Sequence, residues 1–391
     1  MPKRDPPSLF KAAPLPTAKL DAPEQLACLR LIRSENVGPV TFRELINHYG
    51  GATQALEVLP DLARKGGSRR NIRICPKDEA ERELEAAARY GATPIFTIEP
   101  GYPKYLASID SPPPMLYLKG RSELLNQPSV AIVGSRLSSA AGVKLARLFA
   151  HDIGQAGYVV VSGLARGIDG AAHAASLASG TVAVLAGGID MIYPPEHDRL
   201  YAQIATEGCL VSERPPGLTA REKDFPRRNR IISGMSLGVL VIEAAARSGT
   251  LTTARYAAEQ GREVFALPGH PLDPRAEGTN ALLKGGATLV TEPSDVLAAL
   301  RPMSGLAEGG HSSLAFAIDP PVPTPGPPPE VGDHDRNLIL AALGPSPVDI
   351  DAIARATGLP LRAVQIGVME LELAGRLTRP GLGLIALRPV E

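Results

Sequence analysis

The sequence predicts an α/β protein: a doubly wound, mainly parallel sheet in the middle of the chain, with a small helical domain before it and a winged-helix domain after it. Three observations carry this prediction. Between about residues 90 and 300, short and nearly all-apolar runs alternate with helical segments, the texture of a sheet covered by helices on both faces. Residues 22–86 show helical periodicity instead. Seven of the ten residues from 320 to 329 are proline, so an extended linker separates the sheet from the C-terminal residues. At 391 residues the chain has room for about two or three such domains.

In chain order, residues 1–21 hold Lys3 and Arg4 with no apolar stretch behind them, and read as a disordered lead and not a signal peptide. In 22–86, apolar Leu26, Leu29 and Ile32, then Phe42, Leu45 and Ile46, mark helices on either side of the turn Val37-Gly38-Pro39-Val40. The module is of the helix-hairpin-helix or SAM kind. Turn amides in such modules can touch phosphate, but a single glycine turn favours a plain docking domain. Residues 64–73 carry five basic side chains and no acidic one, a pattern that more often marks a solvated loop than a second nucleic-acid contact.

The central domain, 87–300, places strands at 130–133, 158–161, 182–185, 210–211, 239–242, 264–267 and 288–290, extended by 95–98 and 115–118. Helices are expected at 141–153, 169–177, 199–205, 251–260 and 295–300. This is an extended Rossmann-like arrangement. After the linker, 301–332, residues 333–391 give three short helices (337–343, 350–356, 361–374) and two short strands around a Pro-Gly turn, the order of a winged helix. Its third helix sets Arg362 against Glu370 and Glu372, which suits contact with protein better than contact with DNA.

Composition narrows the function. Lys plus Arg and Asp plus Glu both number 41, for a formal net charge of zero, so any nucleic-acid site must be a local patch. Cys28, Cys75 and Cys209 stand singly, which fits a reducing compartment and gives no disulfide framework or metal site. The longest apolar run, 237–246, is about half a membrane span. A cytoplasmic protein without a membrane partner is expected.

The densest chemistry lies in 225–232, where Phe225, Arg227, Arg228, Asn229 and Arg230 crowd together directly before a helical apolar run. Guanidinium forks match phosphate oxygens, and a ring offers a face to a base. Around this stretch fall the turns Gly134-Ser135-Arg136, Ser162-Gly163-Leu164-Ala165-Arg166-Gly167, Ser248-Gly249-Thr250 and Pro268-Gly269. Each comes after an apolar strand, so all belong on the carboxyl edge of the sheet, where ligands bind. Gly134 is expected to let a ligand approach the backbone. Gly163 and Gly167 are expected to open a helix whose free amides favour an anion. No G-x-G-x-x-G comes after the first strand and no G-x-x-x-x-G-K-[ST] occurs, so no dinucleotide cofactor or ATPase activity is expected. Several separate phosphate-friendly turns suit a polyphosphate chain.

Asp169 and His173 lie four apart, on one helix face, and Glu196, His197 and Asp198 form a second polar cluster. A hydrolase would use them as acid, base or metal ligands; a structural role is the favoured reading. Phe225 is either a stacking platform or a core residue that fixes its loop. Glu243, at the end of a strand, is expected to orient the arginines.

Together these residues resemble the DNA-processing protein A family (DprA, also called Smf). The resemblance rests on Gly134-Ser135-Arg136, the run from Ser162 to Asp169, Ala186-Gly187-Gly188-Ile189-Asp190 before Tyr193-Pro194, residues 225–232, Ser248-Gly249-Thr250-Leu251-Thr252-Thr253 and Pro268-Gly269. With Tyr102-Pro103 and Pro113-Pro114-Met115-Leu116-Tyr117 it covers roughly 90–300. It implies an extended Rossmann domain that binds single-stranded DNA, a homodimer, and delivery of DNA to the recombinase RecA past single-strand-binding protein during natural transformation. By position, Arg136, Ser162, Gly163, Arg227, Arg228, Asn229 and Arg230 would contact phosphates, with Phe225 near a base and Lys223 in the same basic loop. Gly134, Ser135, Ala165, Arg166, Gly167, Ser248, Gly249 and Thr250 complete the candidate DNA-binding set. The alternative is an enzyme, because the sheet is also similar to the lysine-decarboxylase-like nucleoside-monophosphate phosphoribohydrolases with their Pro-Gly-Gly-x-Gly-Thr-x-x-Glu motif. In the comparable stretch, 247–253, threonine stands at the position of the catalytic glutamate, so no catalytic residue is expected.

Overall fold

A computed structural model describes residues 19–308, 331–344, 346–381 and 383–388. Nearly all of the expected disordered lead and most of the proline linker lie outside those residues. The described chain divides into two compact units, 19–81 with 331–388, and 82–308.

The first unit opens with α1 (Ala22–Arg33), α2 (Pro39–Tyr49) and α3 (Ala52–Lys65), and α4 (Lys77–Arg89) crosses the division. Asp21 caps α1 by accepting from the Glu24 amide at 2.9 Å. Pro39 begins α2 behind Gly38, where its missing N–H leaves no bond unmade. No side chain next to α3 caps it, and Glu24 of α1 takes over by accepting from the Ala52 amide and from Thr53 Oγ1 at 2.8 Å.

The second unit keeps the alternation read from the sequence. Its elements are β1 (Thr93–Phe96), α5 (Lys104–Ala107), β2 (Met115–Gly120), β3 (Ser129–Val133), α6 (Ala140–Gln155), β4 (Val159–Ser162), α7 (Ile168–Ser176), β5 (Thr181–Gly188), α8 (Asp198–Glu207) and β6 (Cys209–Arg214). Then come α9 (Asp224–Met235), β7 (Gly238–Val241), α10 (Thr250–Glu259), β8 (Glu263–Ala266), α11 (Glu277–Lys284), β9 (Thr288–Leu289) and α12 (Pro293–Glu308). The strand order is β1-β2-β6-β5-β4-β3-β7-β8-β9. From β6 to β9 all pairs are parallel, and β1 and β2 extend the sheet with antiparallel pairs. The chain winds outward from β3 through β6, then returns to lay β7 on the other side of β3. That reversal makes the carboxyl end of β3 and β7 the topological switch point.

Why the strands are apolar throughout is visible in β3. Val130 and Ile132 join Ala146, Phe149, Ala150 and Ile168 of α6 and α7 on one face. Ala131 and Val133 join Ile231, Ile232, Ala254 and Ala257 of α9 and α10 on the other. Alternate side chains serve opposite cores, so no polar face is left. Two boundaries differ from expectation. The 225–232 cluster is not a loop before a helix but lies inside α9. Helix α12 passes the expected stop near Arg301 and continues to Glu308; Pro302 removes one backbone donor without forbidding the turns beyond it.

The first unit resumes with α13 (Asp333–Ala341), α14 (Ile350–Thr357), α15 (Leu361–Leu373) and the antiparallel pair β10 (Leu377–Gly381) and β11 (Leu384–Leu387). Val364, Val368 and Leu371 of α15, spaced as one helix face, pack with Ile339, Ile353, Leu377 and Ile385. This is the expected winged helix.

Phe149, fully buried against the sheet, gives a stability test. Phe149→Ala is expected to destabilise the sheet unit by about 3–5 kcal/mol through the lost burial and the cavity left behind, measured by urea unfolding monitored by far-UV circular dichroism.

Candidate nucleic-acid interface

At the switch point the turns after β3 and β7 and the face of α9 enclose a cleft of about 470 Å³. Gly134, Ser135, Arg136 and Leu137 line one side, Arg247 to Thr250 the other, and Phe225 the α9 side, while Ala165, Arg228 and Asn229 also contribute. Of the turns named from the sequence, those at 134–136 and 248–250 and Ala165 of the 162–167 turn line this cleft, while Pro268-Gly269 does not.

The cleft is built on a buried scaffold. Arg228 is 6% exposed, and its Nη1 donates to the carbonyls of Gly163 at 2.6 Å and Val184 at 2.7 Å. Its Nε donates to Asn229 Oδ1 at 3.1 Å, and Asn229 Nδ2 donates to the Gly249 carbonyl at 3.2 Å. One pair of side chains on α9 therefore fixes the turns after β4 and β7 and the strand β5. A Cβ at position 163 would sit 2.1 Å from the Arg228 guanidinium, and one at position 134 would sit 2.5 Å from Ile168. These glycines make room for the protein's own chain, not for a ligand as expected.

The anion expected at the start of α7 is also internal. Asp169 Oδ2 accepts from the Gly163 amide at 3.2 Å and the Ala165 amide at 3.3 Å. Burial pushes its carboxyl up and pushes the Arg228 guanidinium down to about 10, while each opposes the other's shift by its charge. Leu164, between those two amides, has a φ of 55°, a left-handed strain of about 1–3 kcal/mol. Two histidines hold its peptide: Leu164 N–H donates to His173 Nε2 at 3.3 Å, and His197 Nδ1 donates to the Leu164 carbonyl at 3.1 Å. His173 Nδ1 meets Thr181 Oγ1 at 2.7 Å. Burial first, then His197 and Arg228, lower the His173 pKa to about 3, so it is neutral. The structural reading of Asp169 and His173 accounts for all of these contacts.

Several expected phosphate contacts need correction. Ser162 is fully buried and donates to the Ile132 carbonyl at 2.6 Å; the Gly163 and Ala165 amides face Asp169, and Arg228 and Asn229 brace the scaffold. Arg227 and Arg230 are three apart on α9, so they share a face, and both bind Glu213: Arg227 through Nε at 2.9 Å and Nη2 at 2.8 Å, Arg230 through Nη2 at 2.8 Å. Arg230 also donates to the Ser111 carbonyl at 2.6 Å. Arg166 pairs with Glu196 at 2.7 Å. Lys223 is exposed at the start of α9, and Gly167, at a φ of 73°, turns the chain into α7; neither lines the cleft. Glu243 does not orient the arginines: it accepts from the Ser139 amide at 2.9 Å and from Ser139 Oγ, and so anchors the cap of α6.

The set that faces the cleft freely is smaller. Arg136 and Arg247 are exposed, and neither forms a salt bridge among the described residues. The Arg136 guanidinium lies 4.9 Å from the centre of the half-buried Phe225 ring. Tyr193, 47% exposed, meets Phe225 edge-on at 5.7 Å. Gly249 is exposed, and a Cβ there would meet nothing within 4 Å. Ser248 Oγ accepts from the Thr250 amide at 3.2 Å, and Thr250 Oγ1 donates to the Gly134 carbonyl at 3.0 Å, closing the two turns on each other. Sequence reading did not single out Leu137, Glu213 or Arg247. Arg247 was reachable, since it directly precedes a named turn; Leu137, 86% exposed, carried no signal.

Residues 93–301 match the family described as DNA recombination-mediator protein A. The chain belongs to this family. Residues 22–86 match a DprA-like N-terminal HHH domain and 322–381 a DprA winged helix domain. Protein Smf of Escherichia coli is 41% identical, over 73% of this chain and 75% of that protein. Protein Smf of Synechocystis is 33% identical, over 92% and 98%. Among solved structures, DNA processing protein A of Streptococcus pneumoniae aligns over 70% of this chain and 96% of its own at 34% identity, with a TM-score of 0.60. That of Helicobacter pylori, described by its single-stranded DNA binding mode, aligns over 54% and 95% at 28% identity, with a TM-score of 0.50. Among the described residues no three or more His, Cys, Asp or Glu are placed to hold a metal ion, and no helix is long and apolar enough to cross a membrane.

Two measurements separate scaffold from surface. Arg228→Ala is expected to destabilise the sheet unit by about 3–5 kcal/mol, because it leaves Asp169 and two carbonyls buried without their cation, whereas Arg136→Ala leaves the unfolding transition in place. For His173 the folded pKa lies below the ordinary value of 6.5, so its stabilisation is complete above that value and is lost as pH falls toward about 3. Across that window the wild type is expected to take up about one proton more on unfolding than His173→Gln, read from the pH dependence of unfolding free energy.

Proposed function

We propose that this chain is a sequence-tolerant, non-catalytic binder of single-stranded DNA that shelters incoming DNA and helps load RecA onto it during natural transformation. The observation that carries the reading is the pairing, in one cleft at the switch point, of two guanidiniums outside any salt bridge among the described residues with an accessible ring. Arg136 and Arg247 supply charge to successive phosphates. Phe225, with Arg136 over its face and Tyr193 at its edge, supplies a stacking platform that any base can use. The turn at Gly249 leaves room for a backbone to lie close.

The family relationship supports the same reading, since the Helicobacter pylori relative is described as binding single-stranded DNA. The relay to RecA, the involvement of single-strand-binding protein and a homodimer rest on the family resemblance, and a cytoplasmic location suits them. The phosphoribohydrolase alternative has less support. Asp169 is the carboxylate lining the cleft, and its Oδ2 is held by two amides, while Thr253 occupies the stretch in which that enzyme motif carries glutamate.

The test is a salt titration of binding to oligothymidylate and to a duplex of equal length, with an assay for base release from nucleoside monophosphates. Tighter single-strand binding, a steep salt slope and no base release are expected; weak binding with free base appearing would mean an active site. Arg136→Ala is expected to weaken binding to every sequence and to reduce the salt slope by about one unit. Arg227→Ala is expected to change the slope less, because its fork already holds Glu213.

A further inference from the structure

The two ends of the chain fold together as one unit, and the join brings their basic residues to one place. Gly66, just past α3, lies so close to α15 that a Cβ there would run into the Glu370 carbonyl. Asn36, in the turn after α1, donates from Nδ2 to the Leu373 carbonyl at 3.0 Å. Arg379 of β10 divides its fork between Glu372 of α15 at 3.1 Å and Glu44 of α2 at 3.2 Å. These contacts set the turn after α1 and the loop after α3 beside the open end of the β10–β11 pair.

The basic stretch 64–73 ends α3 and forms most of that loop. Such a run is ordinarily a solvated loop, and three of its arginines do hold carboxylates: Arg64 holds Asp61, Arg70 holds Glu35 and Arg73 holds Glu79. Arg69, however, is exposed and forms no salt bridge among the described residues. The join then adds two arginines from the other end of the chain. Arg376 is exposed, likewise without a salt bridge among the described residues, and a Cβ on Gly67 would lie 3.5 Å from its guanidinium. Arg388 is also exposed; its Nη1 donates to Asn36 Oδ1 at 3.2 Å and its amide to the Arg376 carbonyl at 2.9 Å. Hydrogen bonds from the Arg70 side chain and the Arg73 amide, then the charges of Arg70 and Arg388, hold the Glu35 carboxyl below its ordinary range. One carboxylate is thus flanked by arginines from both ends of the chain.

We propose that this join is a composite surface for the phosphate backbone of duplex DNA, shared between the loop after α3 and the open end of β10–β11. Guanidinium forks with Asn and Ser side chains beside them are the donors that position a phosphate backbone. Residues 35–36, 66–71, 375–376 and 388 include no ring, so an unpaired base finds nothing there to stack on. A duplex, with its bases turned inward and its phosphates outward, needs no such ring. Protein partners are gripped chiefly through aromatic and apolar anchors, and the same residues offer none. Nor does α15 read bases in the major groove as the third helix of a DNA-reading winged helix does, because residues 367–373 are all buried. Binding here is therefore indifferent to sequence. The surface lies wholly in the first unit and does not depend on the cleft of the second.

The test is a salt titration of the full chain against a labelled blunt duplex and, separately, against oligothymidylate. Arg69→Ala and Arg376→Ala, one from each end of the chain, are each expected to weaken duplex binding at every sequence and to lower its salt slope by about one unit. Both are expected to leave oligothymidylate binding and the thermal unfolding curve unchanged, and Arg136→Ala is expected to leave duplex binding unchanged. A wild type that binds no duplex, or duplex binding that ignores both arginines, overturns the proposal. A slope that responds to Arg69→Ala and not to Arg376→Ala overturns the composite surface. Duplex binding abolished by Arg136→Ala would put the duplex in the cleft instead. An oligoglutamate peptide that displaces the duplex as well as unlabelled duplex of equal charge does would assign the surface to acidic protein segments and overturn the duplex reading.

Discussion

The buried guanidinium of Arg228 is the contact on which the shape of the cleft depends. It joins α9 to the ends of β4 and β5 through two carbonyls, and through Asn229 to the turn after β7. A desolvated cation is tolerable only when its donors are met and an opposite charge is near. Asp169 provides that charge, and two turn amides in turn hold Asp169. Glycine at position 163 is a consequence of this arrangement, since any side chain there would occupy the place of the guanidinium. The rim of the cleft is therefore held in place by the protein's own contacts.

The basic residues of this region divide into three kinds by the partners they hold. Arg228 is internal. Arg227 and Arg230 share Glu213, and Arg166 has Glu196, so their positive charge is partly cancelled. Arg136 and Arg247 form no salt bridge among the described residues. A chain with no net charge can still hold a polyanion with so few cations if they border a walled cleft, where the field is focused. A ring as the base contact explains why such binding would tolerate any sequence: every base has a face to stack.

Much of the fold was legible because local pattern and tertiary demand agree. Each apolar run became a strand, since a parallel sheet with two covered faces needs no polar side. The fold class also placed the cleft on the carboxyl edge of the sheet, beside the turns after β3 and β7. The roles of individual arginines were not legible, because they depend on partners far away in sequence: Gly163 and Val184 for Arg228, Glu213 for Arg227 and Arg230. Placing 225–232 inside a helix would have shown part of this, since Arg227 and Arg230 then share a face that excludes Arg228. Gly163 looked like a ligand turn because a glycine required by a neighbouring side chain and one required by a ligand look alike in sequence. Glu370 and Glu372 were read as a poor surface for DNA, but nothing local announced that both would be buried with Arg336 and Arg379 as partners.

The most direct test of the cleft as the DNA site is photo-crosslinking of oligothymidylate carrying 5-iodouracil, with the adducts mapped by mass spectrometry. An aromatic residue against a base is the contact that crosslinks most readily in such an experiment. The account predicts adducts at Phe225 or Tyr193, lost from position 225 in Phe225→Ala. Adducts confined to the basic stretch at 64–73 or to the winged helix, with both rings unmodified, would place the DNA elsewhere and contradict it.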